Sequence, residues 1–350
     1  MKQLRVGIVG TGMAFERLHL PAYQALTKQY KLTALCDARP GKAKAWAAKL
    51  GIPETNVTDD PVALAQRDDI EVIDIMVPIA RNFAVTEAVA RAVQHTHKGI
   101  ICEKPLAPTE EQAVAARALP RQFGVPILIA ENYRYNEEVQ KIRAVLEERR
   151  VGEAVYFIQN RVMDTPKEML EDKFAAKEWR QHPDFPGGII LDTGVHEMAA
   201  LHTYFGPIAE VHAYGVPQDD DFAPYAALQA TLRFQSGLTG QFTFYSAGKE
   251  MQRPLVGLRI FCTQGMIYLE ERDVGTINLA HNDGRSEQLP YKPQQGYYWE
   301  LLNFYNHLTQ GEPLASPPEI EFGDTRAMLA ILRSAKEGRP VAVDRAPVLA

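Results

Sequence analysis

Short apolar runs separated by amphipathic stretches fill the first third of the chain. Leu4–Val9, Leu32–Cys36, Val72–Met76, Gly99–Cys102 and Ile127–Ala130 carry few polar side chains. Runs of that length, unbroken rather than alternating, predict strands covered on both faces, as in a parallel sheet. Between them, Lys42–Leu50, Phe83–Gln94 and Glu110–Leu119 repeat their apolar positions at helical spacing. Strands alternating with helices predict an α/β domain, and right-handed crossovers make it doubly wound.

The pattern changes after about Glu131. A helix is predicted over Glu137–Glu148 and an extended segment over Val155–Arg161. Residues 162–188 are irregular and rich in Pro, Asp and Lys, and a stretch that long predicts a functional loop or concealed short helices. A helix from Leu191 to about Tyr204 follows. Strict alternation then appears: Ala226, Leu228, Ala230, Leu232 and Phe234 are apolar, with Ala227, Gln229, Thr231 and Arg233 between them. Phe242/Phe244 and Leu258/Ile260/Cys262 repeat the theme. Such segments predict antiparallel strands with one face on a core and one polar face. Two helices, near Tyr298–Thr309 and Thr325–Glu337, close the chain. The expectation is a doubly wound domain over 1–131, then an α+β domain over 132–350 with a large, mainly antiparallel open sheet.

Composition narrows the function classes. A chain of 350 residues suits two cores better than one. A formal charge of −6 argues against a nucleic-acid surface, which needs clustered Lys and Arg. Three well-separated cysteines, Cys36, Cys102 and Cys262, show no metal-ligand spacing and suit a reducing compartment. No apolar stretch approaches the ~18 residues of a membrane span, and the start of the chain lacks a signal-peptide pattern. The expected location is the cytoplasm.

The first strand ends in Gly10-Thr11-Gly12, followed by Met13-Ala14-Phe15. Gly10 permits a tight turn, Gly12 lets backbone approach a pyrophosphate, and a helix opening at Met13-Ala14 directs amides and a positive dipole end at that phosphate. Phe15 stands where the G-x-G-x-x-G fingerprint has its third glycine. The second strand ends in Asp37, at the separation expected of a carboxylate that binds adenosine ribose hydroxyls. That carboxylate favours NAD; Arg39, two residues on, is suited to the extra phosphate of NADP.

Three further segments carry chemistry. Glu103-Lys104-Pro105 and Glu131-Asn132-Tyr133-Arg134-Tyr135 directly follow buried strands, where open α/β sheets bind ligands. Gly187-Gly188-Ile-Ile-Leu-Asp192-Thr193-Gly194-Val-His196 opens a helix that sets Asp192 and His196 on one face. With His19-Leu-Pro-Ala-Tyr23, Trp179-Arg180 and the closing Ser334-Ala-Lys-Glu-Gly-Arg-Pro-Val341, these blocks resemble the glucose-fructose oxidoreductase and inositol dehydrogenase (Gfo/Idh/MocA) family along nearly the whole chain. The resemblance implies hydride transfer between NAD(P) and a secondary alcohol carbon of a sugar, inositol or related polyol. It implies Lys104 beside the nicotinamide and the reacting hydroxyl, with Asp192 and His196 facing it from the second domain. Tyr133, Trp179, Arg180 and Thr193 would line the sugar pocket. Where the family often reads Thr-Pro-Asn-x-x-His after the third strand, this chain has Val77-Pro78-Ile79-Ala80-Arg81-Asn82. Pro78, Asn82 and Glu103 are the remaining cofactor candidates.

The residue types fit that chemistry. Hydride loss leaves an oxygen too acidic to keep its proton, and histidine, with an ordinary pKa of about 6.5, accepts one near neutrality. Lys104 supplies positive charge where alkoxide character develops. The acceptor is Lys104 or His196, with His196 favoured. No metal is expected, for want of ligands around Asp192 and His196. A dinucleotide-binding sensor of the same fold, and a dihydrodiol-type dehydrogenase, are the alternatives. The resemblance also implies sheets packed face to face in a homodimer or homotetramer.

Overall fold

The computed structural model describes residues 2–165, 169, 178–246 and 257–343. It divides into two compact units, Met1–Asn132 with Gly296–Phe322, and Tyr133–Gln295 with Gly323–Ala350.

The first unit is built on six parallel strands: β1 (Leu4–Val9), β2 (Tyr30–Cys36), β3 (Val57–Thr58), β4 (Val72–Ile75), β5 (Gly99–Glu103) and β6 (Ile127–Ala130). Their order, β3-β2-β1-β4-β5-β6, is the doubly wound arrangement that the strand–helix alternation predicts. Ile8, Ile73, Ile100 and Leu128 have no exposed surface, as strands covered on both faces require. Helices Pro40–Leu50, Ile79–Ala92 and Glu110–Phe123 supply crossovers. A later helix, Gly296–Gln310, belongs to this unit as well. Its Leu301 carbonyl accepts the Tyr30 hydroxyl at 2.7 Å, and its Phe304 packs so closely on Gly99 that a Cβ there would lie 2.6 Å from the ring.

The register positions the chemistry. Cys36, Val9, Ile75, Cys102 and Ile129 form one row across the sheet. Asp37, Gly10, Glu103 and Glu131 therefore leave at the same carboxyl-terminal edge, where the strand order reverses between β1 and β4.

The second unit holds a nine-stranded sheet: β7 (Ala154–Val162), β8 (Ile208–Pro217), β9 (Tyr225–Phe234), β10 (Thr239–Tyr245), β11 (Leu258–Cys262), β12 (Gly265–Leu269), β13 (Thr276–His281), β14 (Ser286–Pro290) and β15 (Val341–Ala342). The order is β14-β13-β12-β11-β7-β10-β9-β8-β15. Neighbours are antiparallel except β7 and β10, whose register is parallel. Alternation along β9 is as predicted: Leu228, Ala230, Leu232 and Phe234 are buried while Gln229, Thr231 and Arg233 are exposed. Helix Ile189–Phe205 lies almost wholly in the interior. In the stretch 162–188, β7 runs to Val162 and a short helix occupies Glu178–Gln181, while 166–168 and 170–177 lie outside the described residues.

Candidate functional site

At the end of β1, Gly10 has φ +94°, and a Cβ on it would sit 2.1 Å from the Met76 carbonyl oxygen. Only glycine fits there. Gly12 is different: the sole atom within 4 Å of its would-be Cβ is Lys42 Nζ, at 3.8 Å. Packing does not require glycine at 12, so the open space suits a ligand.

Thr11 and Asp37 tie this turn to β2. The Thr11 amide and hydroxyl donate to Asp37 Oδ2 at 2.9 and 2.7 Å, and the Arg39 amide donates to Oδ1 at 3.0 Å. Burial tends to raise the Asp37 pKa, but these hydrogen bonds and Lys42, 3.9 Å away, outweigh it and hold the carboxyl below its ordinary value. Arg39 itself is exposed.

Met13 and Ala14 begin a helical stretch that is π-helical over Phe15–His19 and α-helical over Leu20–Ala25. Phe15, in the place of the third glycine, is fully buried and meets Trp46 edge-on at 5.4 Å. A π-helical turn therefore stands where the fingerprint would place its third glycine.

Lys104 is half-buried in the turn after β5. Asn82, fully buried, donates from Nδ2 to the carbonyls of Glu103 at 2.9 Å and Pro105 at 3.4 Å. Glu103 Oε1 lies 3.0 Å from His19 Nε2. Both cofactor candidates thus turn their side chains to the protein, whereas Pro78 is exposed at the start of helix Ile79–Ala92.

In the second unit, Asp192 and His196 are both buried on helix Ile189–Phe205. Arg180 donates from Nε to Asp192 Oδ2 at 2.9 Å, with its guanidinium 4.4 Å from the centre of the Trp179 ring. His196 stacks on Tyr133, centroids 4.3 Å apart and planes 16° from parallel. Tyr133 is held in turn: its hydroxyl accepts from Arg161 Nη1 at 3.1 Å, and the Arg272 guanidinium lies 4.1 Å over its ring. Imidazole and guanidinium thus both pack against the phenol. Arg272 also donates to Glu197 at 3.0 Å and Glu138 at 3.2 Å. Burial pushes Glu138 above the usual carboxylate range despite that cation.

Thr193 is half-exposed, its hydroxyl donating back to the Ile189 carbonyl at 2.8 Å. Arg134 pairs with Asp324 and donates to Thr203 Oγ1, a tie within the second unit. The neighbouring glycines admit protein: a Cβ on Gly188 would meet the Phe222 carbonyl at 2.1 Å, and one on Gly194 the Met328 side chain at 2.6 Å.

Several residues around these groups escape sequence reasoning: Asp74 and Glu300 in the first unit, Glu138, Arg161, Glu197 and Arg272 in the second. A faint signal exists for Asp74, the one charge inside the run Val72–Met76. Among the described residues, no cluster of His, Cys, Asp and Glu is suited to a metal, and no helix is long and apolar enough to cross a membrane.

Residues 4–131 match the model of the oxidoreductase family with an NAD-binding Rossmann fold, and residues 139–268 match the GFO/IDH/MocA C-terminal domain. The chain is 24% identical to a 1,5-anhydro-D-fructose reductase of Ensifer adhaerens, over 97% of this chain and 98% of that protein. It is equally 24% identical to a D-xylose 1-dehydrogenase (NADP(+)) of Haloferax volcanii, over 97% and 99%. An oxidoreductase structure from Thermotoga maritima superposes with TM-score 0.85 at 26% identity, covering 98% of this chain and 99% of that one.

Proposed function

This chain belongs to the GFO/IDH/MocA family of oxidoreductases, enzymes acting on CH–OH groups with NAD(P), and from that premise we propose that its substrate is a sugar, inositol or related polyol oxidised or reduced at a secondary carbinol. The observation that carries this reading is the arrangement on helix Ile189–Phe205: an imidazole laid flat on Tyr133, one turn from a carboxylate anchored by Arg180. Burying such groups costs stability unless they are paired, and buried ionisable groups gathered in this way cluster at functional sites.

The bound nicotinamide would accept or supply the hydride. The dinucleotide is held at Gly10, Thr11, Gly12, Met13 and Ala14, with Asp37 and Arg39 on the adenosine side and Pro78 and Lys104 on the nicotinamide side. Asn82 and Glu103 contribute by holding the turn that carries Lys104. The open space at Gly12 supports a phosphate there. An Asp37 carboxylate kept ionised favours the free ribose hydroxyls of NAD over the 2′-phosphate of NADP.

In the oxidative direction, His196 takes the hydroxyl proton as the carbon loses its hydride, and Tyr133 keeps the ring plane fixed. Lys104 stabilises negative charge developing on the oxygen. Asp192 and Arg180 bind neighbouring hydroxyls, Trp179 offers an apolar face, and Thr193 borders the pocket. The sheet face bearing Tyr156, Ile158 and Phe261 beside polar Gln229, Thr231 and Arg233 supports association with a second copy; light scattering at micromolar concentration should show a dimer or tetramer. Three free cysteines support a cytoplasmic setting.

The test is a panel of sugars, anhydrosugars and inositols with NAD and NADP, comparing the parent with Lys104→Met. At least one substrate should turn over, and the variant should lose on the order of 10²-fold or more in kcat. Dinucleotide binding without turnover on the whole panel would favour the sensor; equal rates in parent and variant would remove Lys104 from the site.

A further inference from the structure

His19 has no part in the chemistry above, yet it is wholly buried and both its ring nitrogens meet carboxylates. Nδ1 lies 2.8 Å from Asp74 Oδ2, and Nε2 lies 3.0 Å from Glu103 Oε1. An ionised carboxylate only accepts, and a neutral imidazole has a single N–H. Two such contacts need a second proton, which the ring holds. Burial alone would expel it; the charges and hydrogen bonds of Asp74 and Glu103 outweigh burial and lift the imidazole well above its ordinary pKa. The surroundings are acidic or aromatic. The Tyr23 hydroxyl donates to the same Asp74 oxygen at 2.8 Å, and the Tyr297 ring is 5.6 Å away. Glu300 stands close enough to feel the His19 charge, and burial drives it toward its neutral form.

We propose that His19 is the positioning residue of the Lys104 turn, coupling the helix that begins at the glycine turn to the backbone from which the Lys104 ammonium projects. The linkage is short. Asp74 on β4 fixes the ring, the ring fixes the Glu103 side chain, and Asn82 grips the Glu103 and Pro105 carbonyls. Residue 104 therefore has both neighbours tied. His19 also ends the π-helical stretch that starts three residues after Gly12. Whatever fixes that helix end against a phosphate thus bears on Lys104 placement. His19 has no exposed surface and acts only through Glu103. The inference rests on the proposed role of Lys104 at the reacting carbinol.

Asparagine and glutamine separate the two ring nitrogens, since their amide nitrogens overlay Nδ1 and Nε2 respectively. His19→Asn keeps the Asp74 contact alone and should lose on the order of 10²-fold in kcat, the size of effect of a misplacement near 1 Å, with KM for the substrate little changed. His19→Gln keeps the Glu103 contact and should recover most of that loss. Equal losses in both, or parent-like kcat in His19→Asn, would overturn the proposal. Should His19→Asn fail to fold, Glu103→Met leaves the His19–Asp74 pair in place and should show the same fall in kcat; parent-like kcat there is equally fatal. A second readout needs no substrate: the rate at which an acylating reagent modifies Lys104, normalised to exposed Lys31 by peptide mass spectrometry. That ratio should change severalfold in the asparagine variant and return in the glutamine variant. Invariance in both defeats the positioning role even if no polyol is turned over, whereas a changed ratio without turnover leaves it standing and counts only against the proposed activity.

Discussion

Replacing Gly12 by alanine should leave the fold intact and damage dinucleotide binding, whereas the same change at Gly10 should damage the fold itself. At Gly10 the new methyl would sit 2.1 Å from the Met76 carbonyl oxygen and 2.8 Å from its carbon, main-chain atoms that cannot swing aside. The left-handed φ of +94° adds roughly 1–2 kcal/mol for any residue with a Cβ. With an overpacking cost of about 1–3 kcal/mol, Gly10→Ala should lose about 2–5 kcal/mol. At Gly12 the methyl meets only Lys42 Nζ at 3.8 Å, an ordinary contact, and stability should change by less than about 0.5 kcal/mol. A pyrophosphate in that space would be pushed off the helix amides. One charge-assisted hydrogen bond lost is worth about 1.5–3 kcal/mol, so Kd for NAD should rise about 10- to 100-fold. Urea denaturation reads the first quantity and calorimetric titration with NAD the second. Parent-like NAD affinity in Gly12→Ala would show that no phosphate sits against that turn.

Three other changes probe separate parts of the molecule. Phe15→Gly, which restores the third glycine of the fingerprint, should destabilise by about 3–5 kcal/mol in urea denaturation because it empties a fully buried site against Trp46. Glu300→Gln bears on pH. Burial raises the folded-state pKa of Glu300 above the ordinary 4.5, so its contribution to stability is full below that value and is lost as pH rises through the folded pKa. The parent should therefore lose up to about 1.4 kcal/mol per pH unit from this group on the alkaline side of that value, and the variant's melting temperature should fall less steeply with pH. Arg272→Met removes the cation between buried Glu138 and Glu197, leaves Glu197 to Arg161 at 3.5 Å, and takes the guanidinium off the Tyr133 ring; denaturation should show a loss of about 3–5 kcal/mol.

The fold was legible because its signals are local. Unbroken runs such as Ile127–Ala130 and the clean alternation of β9 report burial directly, since periodicity records which faces meet a core. Gly10 and Asp37 were legible as a turn and a carboxylate at strand ends, and Asp192 and His196 as one face of a helix. The return of the chain to the first unit at Gly296 was not: an amphipathic helix announces that it has an apolar face, not what that face covers. The parallel pairing of β7 with β10 was hidden for a similar reason, since strand alternation carries no direction. The arginine–carboxylate cluster behind Tyr133 draws on Glu138, Arg161, Glu197 and Arg272, four positions on separate elements. Each one alone reads as an ordinary surface charge.

That parallel pairing also sets a schedule for synthesis. Residues Ala154–Val162 emerge early from the ribosome, yet their two partners, Thr239–Tyr245 and Leu258–Cys262, arrive much later. Meanwhile AVYFIQNRV, aromatic and β-branched, keeps both its edges open, the state in which extended segments recruit other chains. The flanking ribbons, β8 to β10 and β11 to β14, can close locally by antiparallel pairing of sequence neighbours. Their joint capture of this strand waits on non-local pairing, which forms slowly, and yield in a recombinant host should respond to chaperone supply and growth temperature.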